Sequence, residues 1–394
     1  MCCENSHPMK NCIYCRKDKS DAEFTLEHVI PQFLGGAYAP DSFKVREVCD
    51  RCNSNLGLFV DAGFEKDWLV SNRLREAAYA FFDPQNPSSL PLICMGNSVD
   101  LSPPQIQNDE VCESWLGPLG EQIFWIRPKD EQLYWYAGGN PRTAKETASR
   151  AYFLFSERTA KNPMVSWLTF KDSFENRRVK KILCGVAEGA DPADIGFEKP
   201  DHLDQLRIDY FKTTCFESQH RQNHIAINTH SDFRFMAKLG LGIGYSLFGK
   251  KVLETTYAEE LYKALWYREG ADTPRINGTS ALADTHDQMF KKLTGEMNAV
   301  TLTILPSTGG IAVNLNIGTN MNWTVMCASY ENLSNKDLGN IKDGIAVVLY
   351  RHLQRGFALS LPEYIAHKCG NALHPELAKS SALAGQHADY FKNL

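Results

Sequence analysis

The sequence predicts an α+β protein in which a small, metal-stapled N-terminal domain precedes a larger mixed α+β module. Three observations predict this. Four cysteines fall into two Cys-x-x-Cys pairs, Cys12/Cys15 and Cys49/Cys52, with 33 residues between them. Beyond residue 90, β-prone runs alternate with helical stripes. The 394 residues are enough for two or three domains.

Four thiolates in two such pairs are the ligand set of a closed, tetrahedral structural zinc site. One Cys-x-x-Cys alone reads equally well as a redox motif, and single cysteines as buried or disulfide-bonded residues. Two pairs bracketing an acid–histidine dipeptide point to zinc. A stretch this short buries too little apolar surface to hold itself together. Zinc binding, about 10–16 kcal/mol in zinc-finger peptides at neutral pH, supplies the difference. Cys2 and Cys3 are the next candidate ligands, although residues 1–11 read as a polar tail.

Between the pairs stands Leu26-Glu27-His28-Val29-Ile30-Pro31, and Asn53 directly follows the last cysteine. Neighbours on a strand point to opposite faces, so Glu27 and His28 converge only on a bent hairpin. A carboxylate and an amide oxygen are hard ligands, suited to Mg2+ or Mn2+ rather than zinc. A neutral imidazole beside them is a general base. The set reads as one-metal phosphodiester hydrolysis, with the ion on the scissile phosphate and the histidine activating water. Alone, each of the three would be an ordinary surface polar residue; the zinc frame favours the catalytic reading.

These residues resemble the HNH (ββα-metal) endonucleases, in the zinc-containing branch that includes phage Holliday-junction resolvases. The resemblance covers roughly residues 10 to 65, about a sixth of the chain. It implies a zinc-stabilised ββα-metal nuclease domain with Cys12, Cys15, Cys49 and Cys52 on structural zinc. Glu27 and Asn53 match the ligands of the catalytic divalent ion, Mg2+ or Mn2+, and His28 the general base. Gly35-Gly36 matches the turn after the first strand pair. The acid is Glu where the family more often has Asp. The middle Asn of the family's name has no clear counterpart: Asp41, Ser42 or Lys44 stands near its place, which puts the loop geometry in question more than the chemistry.

Further along, residues 53–60 should form the helix that completes ββα, with Gly57 and Gly63 weakening or ending it. A stronger helix is expected over 64–82, where Trp68, Leu69, Leu74, Ala77, Ala78 and Phe81 form a stripe. Arg73 and Arg75 flank it; contact with a phosphate backbone is one reading and solvated surface the commoner one. Residues 83–89 have linker composition. Short strands are expected at 92–95, 123–127 and 133–136, a helix at 143–157, and strands at 165–170 and 179–186. The basic run Arg177, Arg178, Lys180 and Lys181 is as consistent with a protected sheet edge as with phosphate contact.

A strand at 224–228 should lead into a helix over 233–248, capped by Ser231 or Asp232. Gly244 to Lys250 fits Gly-x-x-x-x-Gly-Lys, but Lys251 replaces the Ser or Thr that holds magnesium and no strand precedes it. The small residues there instead allow close helix packing. His220 and His224 are spaced four apart but lack the glutamate of a metalloprotease helix, and His230 lies six further on. A hairpin over 300–305 and 311–317, a third strand at 323–329 and a strand at 345–350 complete the module.

The domains expected are therefore 1–65 as the nuclease, 66–89 as helix and linker, and 90–394 as a recognition, dimerisation or regulatory module with a sub-boundary near 190–220. The formal net charge of -5 does not announce a nucleic-acid binder. No apolar run approaches 18 residues, the opening lacks a secretory signal, and twelve cysteines suit a reducing cytoplasm. The expected partner is a DNA substrate with no membrane; a homodimer and a small-molecule or protein regulator of the C-terminal module are the further partners considered. The function implied is a metal-dependent endonuclease, with anti-phage defence as one setting. Two alternatives stand beside it: a ligand-gated nuclease effector with a C-terminal sensor, and a catalytically lapsed, zinc-stapled nucleic-acid-binding protein.

Overall fold

The computed structural model describes residues 9–129, 146–175, 177–186, 191–217, 221–225, 229–268, 270–281, 288–387 and 389–391. The chain forms two compact units that are not consecutive in sequence. One comprises residues 1–65 and 228–382; the other comprises 66–227 and 383–394. The stretch expected as one module, 90–394, is shared between the two units. Residues 228–382, about half of that stretch, belong with the N-terminal residues.

In the first unit, β1 (Met9–Asn11) and β2 (Asp18–Ser20) flank the first Cys-x-x-Cys, and β3 (Phe24–His28) pairs antiparallel with β4 (Lys44–Cys49). Helix α1 (Asp50–Leu56) follows at once, giving the ββα order. It does not stop at Gly57. The backbone continues through one wider turn, Gly57–Asp61, into a final helical turn at Ala62–Glu65. Gly57 keeps right-handed helical angles, and burial of Leu56, Val60 and Phe64 on one face offsets the glycine's entropy cost. The Gly35-Gly36 turn is needed as drawn. Gly35 has φ +94°, and a Cβ at Gly36 would lie 1.6 Å from the Ile30 carbonyl oxygen.

The second unit opens with α2 (Trp68–Ala80), within the helix expected over 64–82. Its sheet runs β10-β5-β6-β7-β8-β9, with β5 (Ile93–Ser98), β6 (Glu110–Leu116), β7 (Gln122–Pro128), β8 (Ser149–Leu154), β9 (Val179–Leu183) and β10 (Asn223–His224). Of the helix expected over 143–157, residues 143–145 lie outside the described ones and 149–154 form β8 instead: Ala151, Tyr152, Phe153 and Leu154 are all buried, as in a strand covered on both faces. The strand expected at 165–170 is instead helix α3 (Pro163–Asp172). Pro163 at its first turn presets helical φ, and the parallel pairing of β8 with β9 requires a crossover there. The strand expected at 133–136, His220, Cys2 and Cys3 lie outside the described residues.

The first unit resumes with α4 (Thr229–Phe248), which starts before the expected Ser231 cap, and α5 (Thr256–Leu265). Only His224 of the strand expected at 224–228 is in a strand; residues 226–228 lie outside the described ones. An antiparallel sheet follows in the order β11-β14-β13-β12-β15-β16: β11 (Gly278–Thr279), β12 (Val300–Ser307), β13 (Gly310–Ile317), β14 (Met321–Ser329), β15 (Ile345–Tyr350) and β16 (Arg355–Ser360). The expected hairpin and meander are present. Helix α4 lies between this sheet and the N-terminal hairpin, and its glycines permit the approach. A Cβ at Gly244 would lie 2.4 Å from the Cys327 carbonyl oxygen, and one at Gly242 would lie 2.7 Å from Val29 Cγ1.

Candidate active site

The four cysteine sulfurs are brought together at the start of β3–β4–α1, all within 4.8 Å of one another. Cys15 Sγ and Cys49 Sγ are 4.0 Å apart. A tetrahedron with Zn–S bonds of about 2.3 Å has edges of about 3.8 Å, so the donor set fits zinc in both chemistry and spacing. The Cys49 amide also donates to Cys12 Sγ at 3.4 Å, the bond expected of a backbone that supports a thiolate. The hydrogen bond with Cys52 holds the Cys12 thiol down to about 4, and the same contact raises Cys52. Among the described residues this is the one group of three or more His, Cys, Asp or Glu arranged to hold a metal.

The cysteine cluster rests on the far half of the sequence. The Tyr262 hydroxyl donates to the Ile13 carbonyl at 2.7 Å, and the Trp266 indole to the Tyr14 carbonyl at 3.1 Å. Arg16 pairs with Glu259 at 2.6 Å and lies over the Tyr262 ring. Beneath the hairpin, Phe64 stacks on Phe235 with centroids 3.9 Å apart and meets Trp323 edge-on.

His28 ends β3, half-buried and opposite Lys44. Burial, aided by the Lys44 charge, holds its imidazole below 6.5, so it is neutral at neutral pH. Lys44 is itself paired with Asp41 at 2.8 Å. The loop that lacks the family's middle Asn is braced by the backbone: Val29 donates to the Phe43 carbonyl at 3.0 Å, and Phe43 is buried.

Asn53 lies in the first turns of α1. Its Nδ2 donates to Thr25 Oγ1 at 2.9 Å and to the Leu26 carbonyl at 3.0 Å. Both bonds use the nitrogen, so Oδ1 takes no part in either. The amide is thereby fixed against the strand that carries His28, with a hard oxygen left over.

Glu27 is placed differently. It is 3% exposed, and its Oε1 lies 2.9 Å from Lys238 Nζ on α4. The Tyr14 hydroxyl donates to the same oxygen at 3.4 Å. Burial raises the Glu27 carboxyl, with Lys238 opposing. Neither contact uses Oε2. A register shift between Thr25 and Glu27 breaks the strict alternation of the strand at this point. Lys238 and Asp61 are the residues that motif reading passed over. The available signal was a lysine inside an otherwise apolar helix, Met236-Ala237-Lys238-Leu239, where burial demands a counter-charge.

Residues 12–69 match the family model of the HNH endonucleases. No curated protein and no solved structure matches the chain. The HNH match spans the cysteine cluster, β3, β4 and α1, with His28 and Asn53 inside it, and it implies a nucleic-acid substrate. The regions with which it shares a core, 228–382, lie beyond the match. Among the described residues no helix is long and apolar enough to cross a membrane.

Proposed function

We propose that this protein is a divalent-metal-dependent endonuclease that hydrolyses phosphodiester bonds in DNA. His28 is the general base, and Glu27 and Asn53 are the ligands of Mg2+ or Mn2+. The observation that carries this reading is the position of His28 and Asn53 on the strand and helix that the four cysteines clamp together, within an HNH-type segment. The bound ion would supply charge stabilisation at the phosphate and the leaving oxygen. His28, neutral at working pH, accepts the proton of the attacking water. Asn53, held through its nitrogen, offers Oδ1; Glu27, held through Oε1, offers Oε2. The zinc is structural, since four cysteines leave it no open position.

Plasmid cleavage by full-length protein in Mg2+ or Mn2+ tests the reading, with an RNA of matched length alongside. DNA cleavage is expected, and His28→Ala should lower it by about 10²–10⁴-fold while zinc content and melting temperature stay unchanged. Cleavage that survives His28→Ala, or cleavage confined to RNA, would contradict the assignment.

A further inference from the structure

Lys238 is 2% exposed and lies inside α4, far in sequence from the HNH segment. Its ammonium is 2.9 Å from Glu27 Oε1 and 2.5 Å from Asp61 Oδ2, and 5.9 Å from the centroid of the Tyr14 ring. A buried lysine survives only when it is paired. Here one ammonium meets two carboxylates, so the triad retains one net negative charge. Two of its oxygens stand outside the pairing: Glu27 Oε2, which neither contact uses, and Asp61 Oδ1, which is buried with no hydrogen-bond partner. Burying an excess carboxylate with an orphan oxygen serves packing badly; beside a cation site it balances charge.

We propose that Lys238 is a positioning residue of the nuclease site: it anchors Glu27 through Oε1 and leaves Oε2 as the oxygen able to ligate the catalytic ion. This rests on the reading of Glu27 as an ion ligand. The nuclease site is then assembled from two stretches distant in sequence, with its supporting layer supplied by α4, which lies outside the HNH match. Lysine suits the task because its compact point charge can face two carboxylates at once. The partners that orient a ligating carboxylate typically matter by about 10–100-fold in metal affinity or activity.

The test uses full-length, zinc-loaded protein and the variant Lys238→Met/Asp61→Asn. The paired change removes one positive and one negative charge, so Asp61 is not left as a second freed carboxylate able to take the ion. Mn2+ affinity is read by electron paramagnetic resonance without nucleic acid, beside zinc content, melting temperature, kcat and KM. Zinc and fold should be retained, Mn2+ affinity should fall by about 10–100-fold, and the loss of turnover should appear in kcat rather than KM. Unchanged Mn2+ affinity in the folded variant, with Glu27→Gln abolishing it, would overturn the role of Lys238 and leave Glu27 as a ligand. A parent protein that binds no Mn2+ would overturn the nuclease reading and this inference together. Loss of zinc and fold in both the paired variant and single Lys238→Met would overturn positioning in favour of a purely structural ion pair.

Discussion

The Tyr262 hydroxyl donates to the carbonyl oxygen of Ile13 at 2.7 Å, joining residues 249 positions apart in sequence. With Trp266 on Tyr14 and Arg16 on Glu259, it seats the cysteine-bearing turn on α5. A fragment ending near Phe82 would expose the faces that α4, α5 and the antiparallel sheet cover. We expect that fragment to bind zinc weakly and to lack a cooperative melt, although it contains all four cysteines. Zinc analysis and circular dichroism against full-length protein decide this; a folded, fully zinc-loaded fragment would refute it.

Cys49→Ser should act well beyond the N-terminal stretch. Cys49 is 2% exposed and lies at the junction of β4 and α1, and a structural zinc site of this kind folds with its metal. Because residues 1–65 and 228–382 form one unit, loss of zinc should reduce amide protection in β12, β13 and β14 as well. Hydrogen exchange is the measurement. Protection lost in 12–65 alone would mean that the hairpin unfolds independently of the sheet.

Gly244 and Gly339 should respond to alanine with opposite signs. At Gly244 the new methyl would stand 2.4 Å from the Cys327 carbonyl oxygen, a backbone atom that cannot move aside. A cost of about 1–3 kcal/mol is expected, as for other overpacked sites. Gly339 lies in a helix, Asn335–Ile341, with open space where the Cβ would go. There, alanine should stabilise by about 0.4–1 kcal/mol through the unfolded chain. Denaturant midpoints of the two variants provide the comparison.

What could be read from the sequence was local. The zinc frame depends on spacing within 42 residues, from Cys12 to Asn53, and the β12–β13 hairpin on the turn Pro306-Ser307-Thr308-Gly309-Gly310. The close packing of α4 was visible as a run of glycines. The helix at 163–172 is not legible because the β-prone Val165, Trp167 and Phe170 outweigh the single helix-start signal of Pro163. β8 was missed because its apolar run is continuous, which periodicity does not separate from a buried helix. The triad of Lys238 with Glu27 and Asp61 was illegible because tertiary packing brings its members together: the motif named Glu27 as a metal ligand and could not show that a buried cation faces it.

The second unit carries its own charged centre, which fixes how the protein should respond to acid. Asp204 is fully buried. It accepts from Arg150 Nη1 at 2.6 Å, the Tyr152 hydroxyl at 2.9 Å and the Asp201 amide at 3.0 Å, with Lys180 Nζ at 2.5 Å. Burial alone would raise its carboxyl, but Lys180 and the other donors outweigh burial and hold it below 3.8. A carboxylate depressed in the folded state binds its proton more readily when unfolded. Its stabilisation is therefore fully present above 3.8 and is lost as pH falls from there through the folded value. The melting temperature of this unit should then be insensitive to pH on this account near neutrality and drop below 3.8. Asp204→Asn removes the charge at every pH and leaves Arg150 and Lys180 with Asp201 alone. It should cost about 3 kcal/mol at neutral pH, the lower end for breaking a buried pair because both cations are partly exposed. The same variant should flatten the acid limb of the melting curve. Calorimetry from neutrality to strong acid on both proteins checks the two effects together, and an acid limb equally steep in Asp204→Asn would show that other carboxylates govern the transition.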